Sequence, residues 1–315
     1  MVSEQVRVAQ TVMNQTVVLV TESPDAPPAH QRATGWETYV WVGMGGAVRQ
    51  AGLHSLSIHP SLFTADQIHR LIADRPRGVI LRRDAVLGKH GEAALEALRA
   101  GGVPIVLYGY EPKLSGHDTV VSDHAAGAYK LTQWLLQRGH KRILRVWPST
   151  RAPDGTRPTW LNQRDAGFER AMKEAGGTQI PAIELPVISF DTFDPENFNA
   201  ATRMNAGYLM PYLSGNPPVD AIMVASDGMT YAMSAACRLF GKIPNKNVLV
   251  VGYDRYYSDC IERNHEPAPP AATVDKQNLK IGNALLALLL ERIEGKLPPE
   301  PQMRVVDPEL VIIGD

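Results

Sequence analysis

Short apolar runs alternate with longer stretches of helical periodicity along almost the whole chain. The first run, residues 16–21 (TVVLVT), is rich in β-branched residues, which is typical of a strand buried on both faces. Further strands are predicted at 53–58, 78–81 and 104–108, with helices at 35–51, 64–73 and around 92–98. Strands separated by helices at this spacing indicate βαβ units and a parallel sheet.

The alternation restarts near residue 119, which indicates a second unit of similar size. Its strands are predicted at 119–122, 143–147, 221–225 and 248–252, its helices at 125–138, 161–175, 197–213, 228–240 and 279–293, and two short strands close the chain. We therefore expect an α/β fold with two doubly wound parallel-sheet lobes and a ligand cleft between them. Ligands of such sheets bind beyond the carboxyl ends of the strands.

Composition limits the classes of function. Hydrophobic residues make up 44% and charged residues 21% of the 315 residues, as in ordinary globular proteins. The formal net charge of −1 provides no global basic field for nucleic acid. Cys237 and Cys260 lack metal or redox spacing and are interpreted as reduced thiols. Residues 1–12 lack a signal pattern, which predicts a cytoplasmic protein without a membrane segment, although a mature periplasmic protein would look similar.

Motifs for catalysis are missing or stand in the wrong context. Residues 43–46 (GMGG) resemble a dinucleotide-binding turn, but Val48 replaces the third glycine and the run lies in a predicted helix, where close helix packing is the alternative. No phosphate loop, nucleophile elbow or metal-binding histidine pair is present. We therefore predict no catalytic residue, no metal and no cofactor, and a protein that is not an enzyme.

Polar side chains follow several predicted strands: Asp123, Arg164, Ser226, Asp227, Asp254 and Lys276. If the strands are parallel neighbours, these groups converge on one rim. A sugar needs carboxylates, a guanidinium and an aromatic face, which Trp36 or Trp147 can supply. The alternatives are that Asp227 caps a helix and Asp254 caps a turn. Two proline-rich stretches, 23–28 and 148–158, are either binding loops or surface connectors.

The ordered phrases at 121–127, 135–143, 164–171, 218–227, 248–254, 272–274 and 281–282 carry a resemblance. Through them the chain resembles the sensor domain of the lactose/galactose repressor family over about residues 16–315, and more distantly periplasmic ribose-type binding proteins. The resemblance implies two lobes joined by three crossovers, an effector in the cleft and a homodimer. It implies lobes of 16–141 plus 277–304 and of 142–276 plus 305–315, after a linker remnant at 1–15.

Carried over residue by residue, Arg164 and Asp254 match the family's effector-contacting arginine and aspartate. Ser226 stands where an asparagine is usual, and Lys276 where a glutamine is common. Trp36 falls near an aromatic residue of the first loop, although that loop, 23–33, looks longer here. The candidate ligand-binding residues are therefore Trp36, Arg83, Asp123, Trp147, Arg164, Ser226, Asp254 and Lys276.

The resemblance implies an effector-binding and dimerisation domain of a bacterial transcription regulator that senses a sugar or related small polar metabolite. Residues 1–15 are too short for a helix-turn-helix, so we expect DNA contact only through a domain missing from this chain, which is either trimmed or a free-standing sensor. The alternatives are a solute-binding protein of a transport system and, third, an enzyme of unknown type. The leucines of 279–293 indicate either a dimer interface or lobe core.

The charge of the ligand is a separate hypothesis. Lys276, Arg164 and the pair Arg82-Arg83 are predicted near one rim, which favours an acidic ligand such as a sugar acid. The alternative is that Asp254 or Asp275 neutralises Lys276, which would leave a site for a neutral sugar.

Overall fold

The structure, a computed structural model, describes residues 12–20, 35–58, 64–83, 89–151, 155–186 and 194–314. The proline-rich stretch 23–28 and most of the linker at 1–15 lie outside the described residues. The first elements in chain order are β1 (Thr16–Val20), α1 (Trp36–Gln50), β2 (His54–Ile58), α2 (Ala65–Asp74), β3 (Gly78–Arg82), α3 (Lys89–Ala100), β4 (Ile105–Tyr108) and β5 (Asp118–Ser122).

The remaining elements follow the same alternation. They are α4 (His124–Gln137), β6 (Ile143–Pro148), α5 (Thr159–Glu174), β7 (Ile183–Leu185), α6 (Pro195–Leu213), β8 (Ala221–Val224), α7 (Asp227–Leu239), β9 (Leu249–Tyr253), β10 (Ala272–Asp275), α8 (Asn278–Ile293), β11 (Met303–Val306) and β12 (Glu309–Ile312). The short strands β7 and β10 have no counterpart among the strands predicted from the sequence. Among the described residues, no helix is long and apolar enough to cross a membrane.

The strands form two six-stranded sheets. The first sheet has the order β11-β5-β4-β3-β1-β2, and all its neighbours are parallel. The second has the order β12-β10-β9-β8-β6-β7, and only β12 runs antiparallel to its neighbour β10. The predicted fold class, two parallel-sheet α/β lobes, is confirmed.

Burial explains why the inner strands are almost continuously apolar. Every residue of β1, β3, β4 and β5 is buried, because helices cover both faces of a parallel sheet. Strand β2 lies at the edge of the first sheet and is largely exposed, which matches its mixed sequence HSLSI. In the second sheet, β6, β8 and β9 are buried in the same way.

The chain passes between the two sheets three times: between β5 and α4, between β10 and α8, and between β11 and β12. The predicted lobe boundary at 141 differs from this, because Leu131 and Leu135 of α4 pack with Trp147 and Phe168 in the core of the second sheet. The predicted boundary at 304 falls inside β11, which pairs entirely with the first sheet. The boundary at 141 differs from the structure because the apolar face of a helix can be recognised from the sequence, whereas the sheet on which that face packs cannot.

Helices α1 and α8 pack closely on the first sheet. A Cβ added at Gly43 would lie 2.3 Å from the carbonyl oxygen of Leu279, and one at Gly282 would lie 2.1 Å from that of Val40. Gly43 therefore allows the two helices to pack closely. This agrees with the alternative given for residues 43–46, close helix packing instead of a dinucleotide-binding turn. The leucines at 285, 286, 288 and 289 are buried in the core of the first lobe, so lobe core, rather than a dimer interface, explains them.

Candidate functional site

A cavity of about 500 Å³ lies between the two sheets, at the carboxyl ends of their strands. On one side its lining includes Arg82 and Tyr108, the last residues of β3 and β4. On the other side, Asp254 and Lys276 directly follow β9 and β10, and Ser226 is the second residue after β8. The volume is in the range of small-molecule pockets. Doubly wound sheets place ligands at this edge.

Six of the eight predicted site residues line this cavity: Trp36, Arg83, Arg164, Ser226, Asp254 and Lys276. The other two do not. Trp147 is fully buried in the core of the second lobe, where its ring nitrogen donates to Asp165 over 2.9 Å. Asp123 is the N-cap of α4, and its carboxylate accepts the backbone N–H of Ala126 over 2.8 Å. Both side chains therefore serve the structure of the second lobe, which corrects the predictions for these two residues.

Arg164 lies on the wall of the second lobe with only 2% of its surface exposed, and several contacts fix its guanidinium group. Its Nη1 donates to the carbonyl oxygen of Ala225 over 2.7 Å, and its Nε to Nδ1 of His124 over 3.4 Å. The guanidinium carbon lies 3.5 Å from the ring centroid of Tyr253 and 4.6 Å from that of Trp160. Burial lowers the pKa of this guanidinium, while Tyr253 and Asp254 act in the opposite direction.

Asp254 forms the centre of the polar groups in the cavity. Its Oδ1 lies 2.9 Å from Nζ of Lys276 and 3.9 Å from Nη2 of Arg164. Its φ angle is +94°, a conformation that aspartate tolerates better than most residues, and its backbone N–H donates to Val274 over 2.7 Å. The carboxylate therefore shares its negative charge between two cations. Asp275, the other predicted partner of Lys276, pairs with Arg255 instead.

The wall of the first lobe presents an aromatic ring. Trp36 begins α1 and stands edge-on to Tyr108, with the ring centroids 5.8 Å apart. Nζ of Lys276 lies 3.6 Å from the centroid of the Trp36 ring, a cation–π contact that reaches from the crossover to the first lobe. Arg82 lies beside the same ring at 5.6 Å and forms an ion pair with Glu37.

His124 stays uncharged at neutral pH. Its pKa lies well below the usual value, first because the ring is buried and then because Arg164 and Lys276 are close. A neutral imidazole at this place accepts a hydrogen bond from Arg164 and lines the cavity beside Trp160.

The side chain of Asp227 does not cap its helix but bonds the segments that lie next to the cavity. The side chain is fully buried and accepts hydrogen bonds from the hydroxyl of Thr273, over 2.7 Å, and from the backbone N–H groups of Tyr256 and Tyr257. Burial raises the pKa of Asp227 to about 8, against the effect of these three hydrogen bonds. Ser226 bonds the hydroxyl of Tyr256, so the loop after β9 is tied to the start of α7.

Two contacts cross from one lobe to the other near the cavity. Tyr39 of α1 donates its hydroxyl to Asp259, which follows β9, and Thr159 at the start of α5 donates to Glu111 over 3.1 Å. Both pairs join side chains far apart in sequence. They hold the two walls together in the present arrangement.

Several residues that line the cavity are not among the predicted site residues: Trp160, His124, Tyr108, Glu111, Gln163 and Met229. One of them had a readable signal. Trp160 stands four residues before Arg164 on a helix, and residues four apart lie on the same face. The packing of the strands and helices places the other five at the cavity.

Comparison with known proteins agrees with this architecture. A family model described as a periplasmic binding protein-like domain matches residues 132–314. The regulator MalR of Streptomyces coelicolor, an HTH-type transcriptional regulator, is 29% identical over 262 residues, which cover 81% of this chain and 69% of MalR. The chain spans 56–58% of the length of further curated relatives, which are likewise HTH-type regulators or repressors.

Solved structures share the fold over nearly the whole chain. A regulatory protein of the LacI family from Chloroflexus aggregans superposes with a TM-score of 0.74 at 19% identity, covering 96% of this chain and 98% of that one. The transcriptional regulator CelR, solved in complex with cellobiose, gives a TM-score of 0.67 at 22% identity and covers 95% of this chain and 83% of its own.

The resemblance read from the ordered phrases is thereby confirmed. The family model covers more than half of the chain, and the curated relatives are transcriptional regulators rather than enzymes. The chain belongs to the family of periplasmic binding protein-like domains, and the curated relatives reported above are HTH-type transcriptional regulators.

Proposed function

We propose that these residues form the effector-binding and dimerisation domain of a bacterial transcription regulator, and that the effector is a sugar or related small polar metabolite. The relatives support a regulator over a solute-binding protein of transport, because they are named as HTH-type regulators. CelR was solved with cellobiose, which supports a sugar-sized polar ligand for a cavity in the same fold.

The observation that carries the proposal is the arrangement of Arg164, Asp254 and Trp36 around one cavity. Donors, acceptors and an aromatic ring are the groups that a sugar needs: hydroxyls exchange hydrogen bonds with the charged groups, and the C–H face of the ring packs on the indole. Arg164 is already held by Ala225 and by two aromatic rings, so binding does not require it to be ordered. Such preorganisation lowers the entropic cost of binding.

A ligand in this cavity would touch both lobes, which are joined by three crossovers. A ligand shifts an equilibrium between two conformations only through its different affinity for each of them. Contacts to both walls favour the closed arrangement over an open one. The change in lobe spacing would then reach the rest of a regulator, where DNA is bound.

The test is calorimetric titration and thermal shift with a panel of neutral mono- and disaccharides and sugar acids, on wild type and on Arg164→Met. Methionine keeps an extended side chain for the aromatic rings but removes the hydrogen-bond donors. We expect affinity to fall about 10–100-fold, since a buried polar partner is left without its bond. Arg170→Met on the exposed face of the same helix is the matched control and should bind as wild type does. Equal binding by wild type and Arg164→Met would move the site elsewhere.

The proposal includes a homodimer in the cytoplasm without enzymatic activity. Light scattering at micromolar concentration checks the dimer, and a monomer would contradict it. We expect these 315 residues alone to bind DNA only non-specifically, because the formal net charge is −1. Sequence-selective binding in an electrophoretic mobility assay would contradict that part.

A further inference from the structure

The described lining of the cavity is unevenly charged. It contains five cationic side chains but only two carboxylates, Glu111 and Asp254. Two of the cations are matched by carboxylates that lie outside the lining: Arg82 pairs with Glu37, and Arg151 pairs with Glu184 over 2.6 Å. Arg164 and Lys276, the two most deeply buried cations, differ from these because both lie against the same carboxylate, that of Asp254.

Arg164 and Lys276 are exposed to 2% and 3%, and both face Asp254. In the part of the chain that the structure describes, no other carboxylate lies within 4.0 Å of either cation. Their remaining contacts are to neutral groups: the carbonyl oxygen of Ala225, the imidazole of His124 and the ring of Trp36. The innermost cluster thus holds two positive charges and one negative charge.

An excess buried charge is costly unless something pairs with it. The pKa values of Arg164 and Lys276 are both lowered by burial, and Arg164 lowers that of Lys276 further. His124 does not add a charge, since its own pKa is held well below the usual value. A ligand with a single negative charge would complete the cluster.

We infer, on the basis of the proposed function, that the ligand is a polyhydroxylated carboxylic acid, such as an aldonic or uronic acid, whose carboxylate neutralises the cluster of Arg164, Lys276 and Asp254. A carboxylate brings one negative charge, which equals the excess. A phosphate ester brings about −1.5 to −2 at neutral pH and would exceed it. The hydroxyl groups of the ligand remain for the other polar groups of the cavity, and Trp36 and Trp160 are lining residues that its carbon skeleton can contact.

The test compares matched ligands by calorimetric titration: D-glucose and D-galactose, their aldonic and uronic acids, and their 6-phosphates. We expect at least one acid to bind tenfold or more tightly than its neutral parent and its phosphate. Lys276→Gln should reduce the affinity for that acid at least tenfold and change the affinity for the neutral sugar little. Lys280→Gln, the same exchange at an exposed lysine of α8 that does not line the cavity, should keep the preference.

The outcomes separate this inference from the function on which it rests. Neutral sugars that bind as tightly as the acids overturn the acidic ligand and leave the effector domain standing. Tighter binding of the phosphates overturns the carboxylate in favour of another anion. If no ligand of the panel binds, both the inference and the proposed function are overturned. If thermal melting shows that Lys276→Gln does not fold, the preference of the wild type among the three ligand classes decides.

Discussion

Arg164 on the cavity wall of the second lobe is held by contacts within that lobe, whereas Trp36 on the wall of the first lobe is contacted by a residue of a crossover. Arg164 bonds Ala225 and stacks on Tyr253, all of them in the second lobe. Trp36 in the first lobe is contacted by Lys276, which belongs to the crossover between β10 and α8. Arg164 therefore needs no partner outside the second lobe, while Lys276 of the crossover contacts both walls, Asp254 on one side and Trp36 on the other.

Because the two walls are held by different kinds of contact, substitutions on them should have different consequences. Buried charges on the second wall depend on each other, so removing one leaves its partner without compensation. The aromatic ring on the first wall makes non-directional contacts, so replacing it leaves no buried carboxylate without its cation. We expect substitutions on the second wall to affect folding as well as binding, and substitutions on the first wall to affect mainly the closure of the lobes.

The largest effect is expected for Asp254→Ala. The substitution leaves Lys276 and Arg164 buried without their carboxylate and places alanine at a φ of +94°. We expect the free energy of unfolding, measured by urea denaturation, to fall by about 3–5 kcal/mol. Glu37→Ala on the first wall should cost less, because Glu37 is 25% exposed.

The double variant Asp254→Ala, Lys276→Met is the internal control for this prediction. It removes the uncompensated ammonium group and should recover part of the lost stability. An equal loss of unfolding free energy in Glu37→Ala and Asp254→Ala would contradict the difference between the two walls.

The second prediction concerns the helix that carries Trp36. Gly43→Ala places a Cβ against the backbone of Leu279 and should force α1 away from α8, at a cost of about 1–3 kcal/mol in unfolding free energy. Gly46→Ala in the same helix meets no atom within 4 Å and should stabilise by up to about 1 kcal/mol, since alanine favours helix. Thermal melting of both variants gives the answer. Equal melting temperatures would contradict the close packing of these helices.

The third prediction is a pH dependence that belongs to the second lobe. Because burial raises the pKa of Asp227 to about 8, the folded state binds this proton more strongly than the unfolded state, whose value is near 3.8. The stability contributed by this group is therefore fully present below pH 3.8 and is lost as the pH rises towards 8. The unfolding free energy should therefore fall with rising pH inside that window and level off above it.

Asp227→Asn removes this titration and keeps an isosteric side chain for the loop after β9. Unfolding free energies of the wild type and the variant, measured from pH 5 to pH 8, should therefore diverge, with the variant gaining at higher pH. His124 is present in both proteins, so its own titration cancels in the difference. Parallel pH profiles would show that Asp227 titrates near its ordinary value.

The smallest effect is expected for Tyr39→Phe. This change removes the hydrogen bond that joins α1 to Asp259 across the lobes. A single hydrogen bond contributes about 0.5–1.5 kcal/mol, so the unfolding free energy changes little, while small-angle scattering should show a larger radius of gyration. Tyr208→Phe on the exposed face of α6 is the control. An unchanged radius of gyration would mean that this contact does not hold the lobes together.

Two tryptophans illustrate what local sequence can and cannot predict. Trp147 ends an apolar run and was expected at the cavity, but β6 is buried on both faces, so its ring belongs to the core. Trp160 directly follows the proline-rich stretch, and its spacing of four residues from Arg164 is the local signal that places the two side chains on one face of α5. The direction of a side chain at a strand end depends on the sheet and on the helix that follows.

The alternation of apolar runs and helical periodicity determined the two parallel sheets, because it reports short-range burial that every βαβ unit needs. The ordered phrases also brought Arg164 and Asp254 forward, and both lie at the cavity. Tertiary structure alone decided that α4 covers the second sheet, and that Asp254 is shared between Arg164 and Lys276. The two ion pairs of Asp254 join residues 22 and 90 positions apart, and a sequence pattern does not encode which distant groups share one carboxylate once the strands are in register.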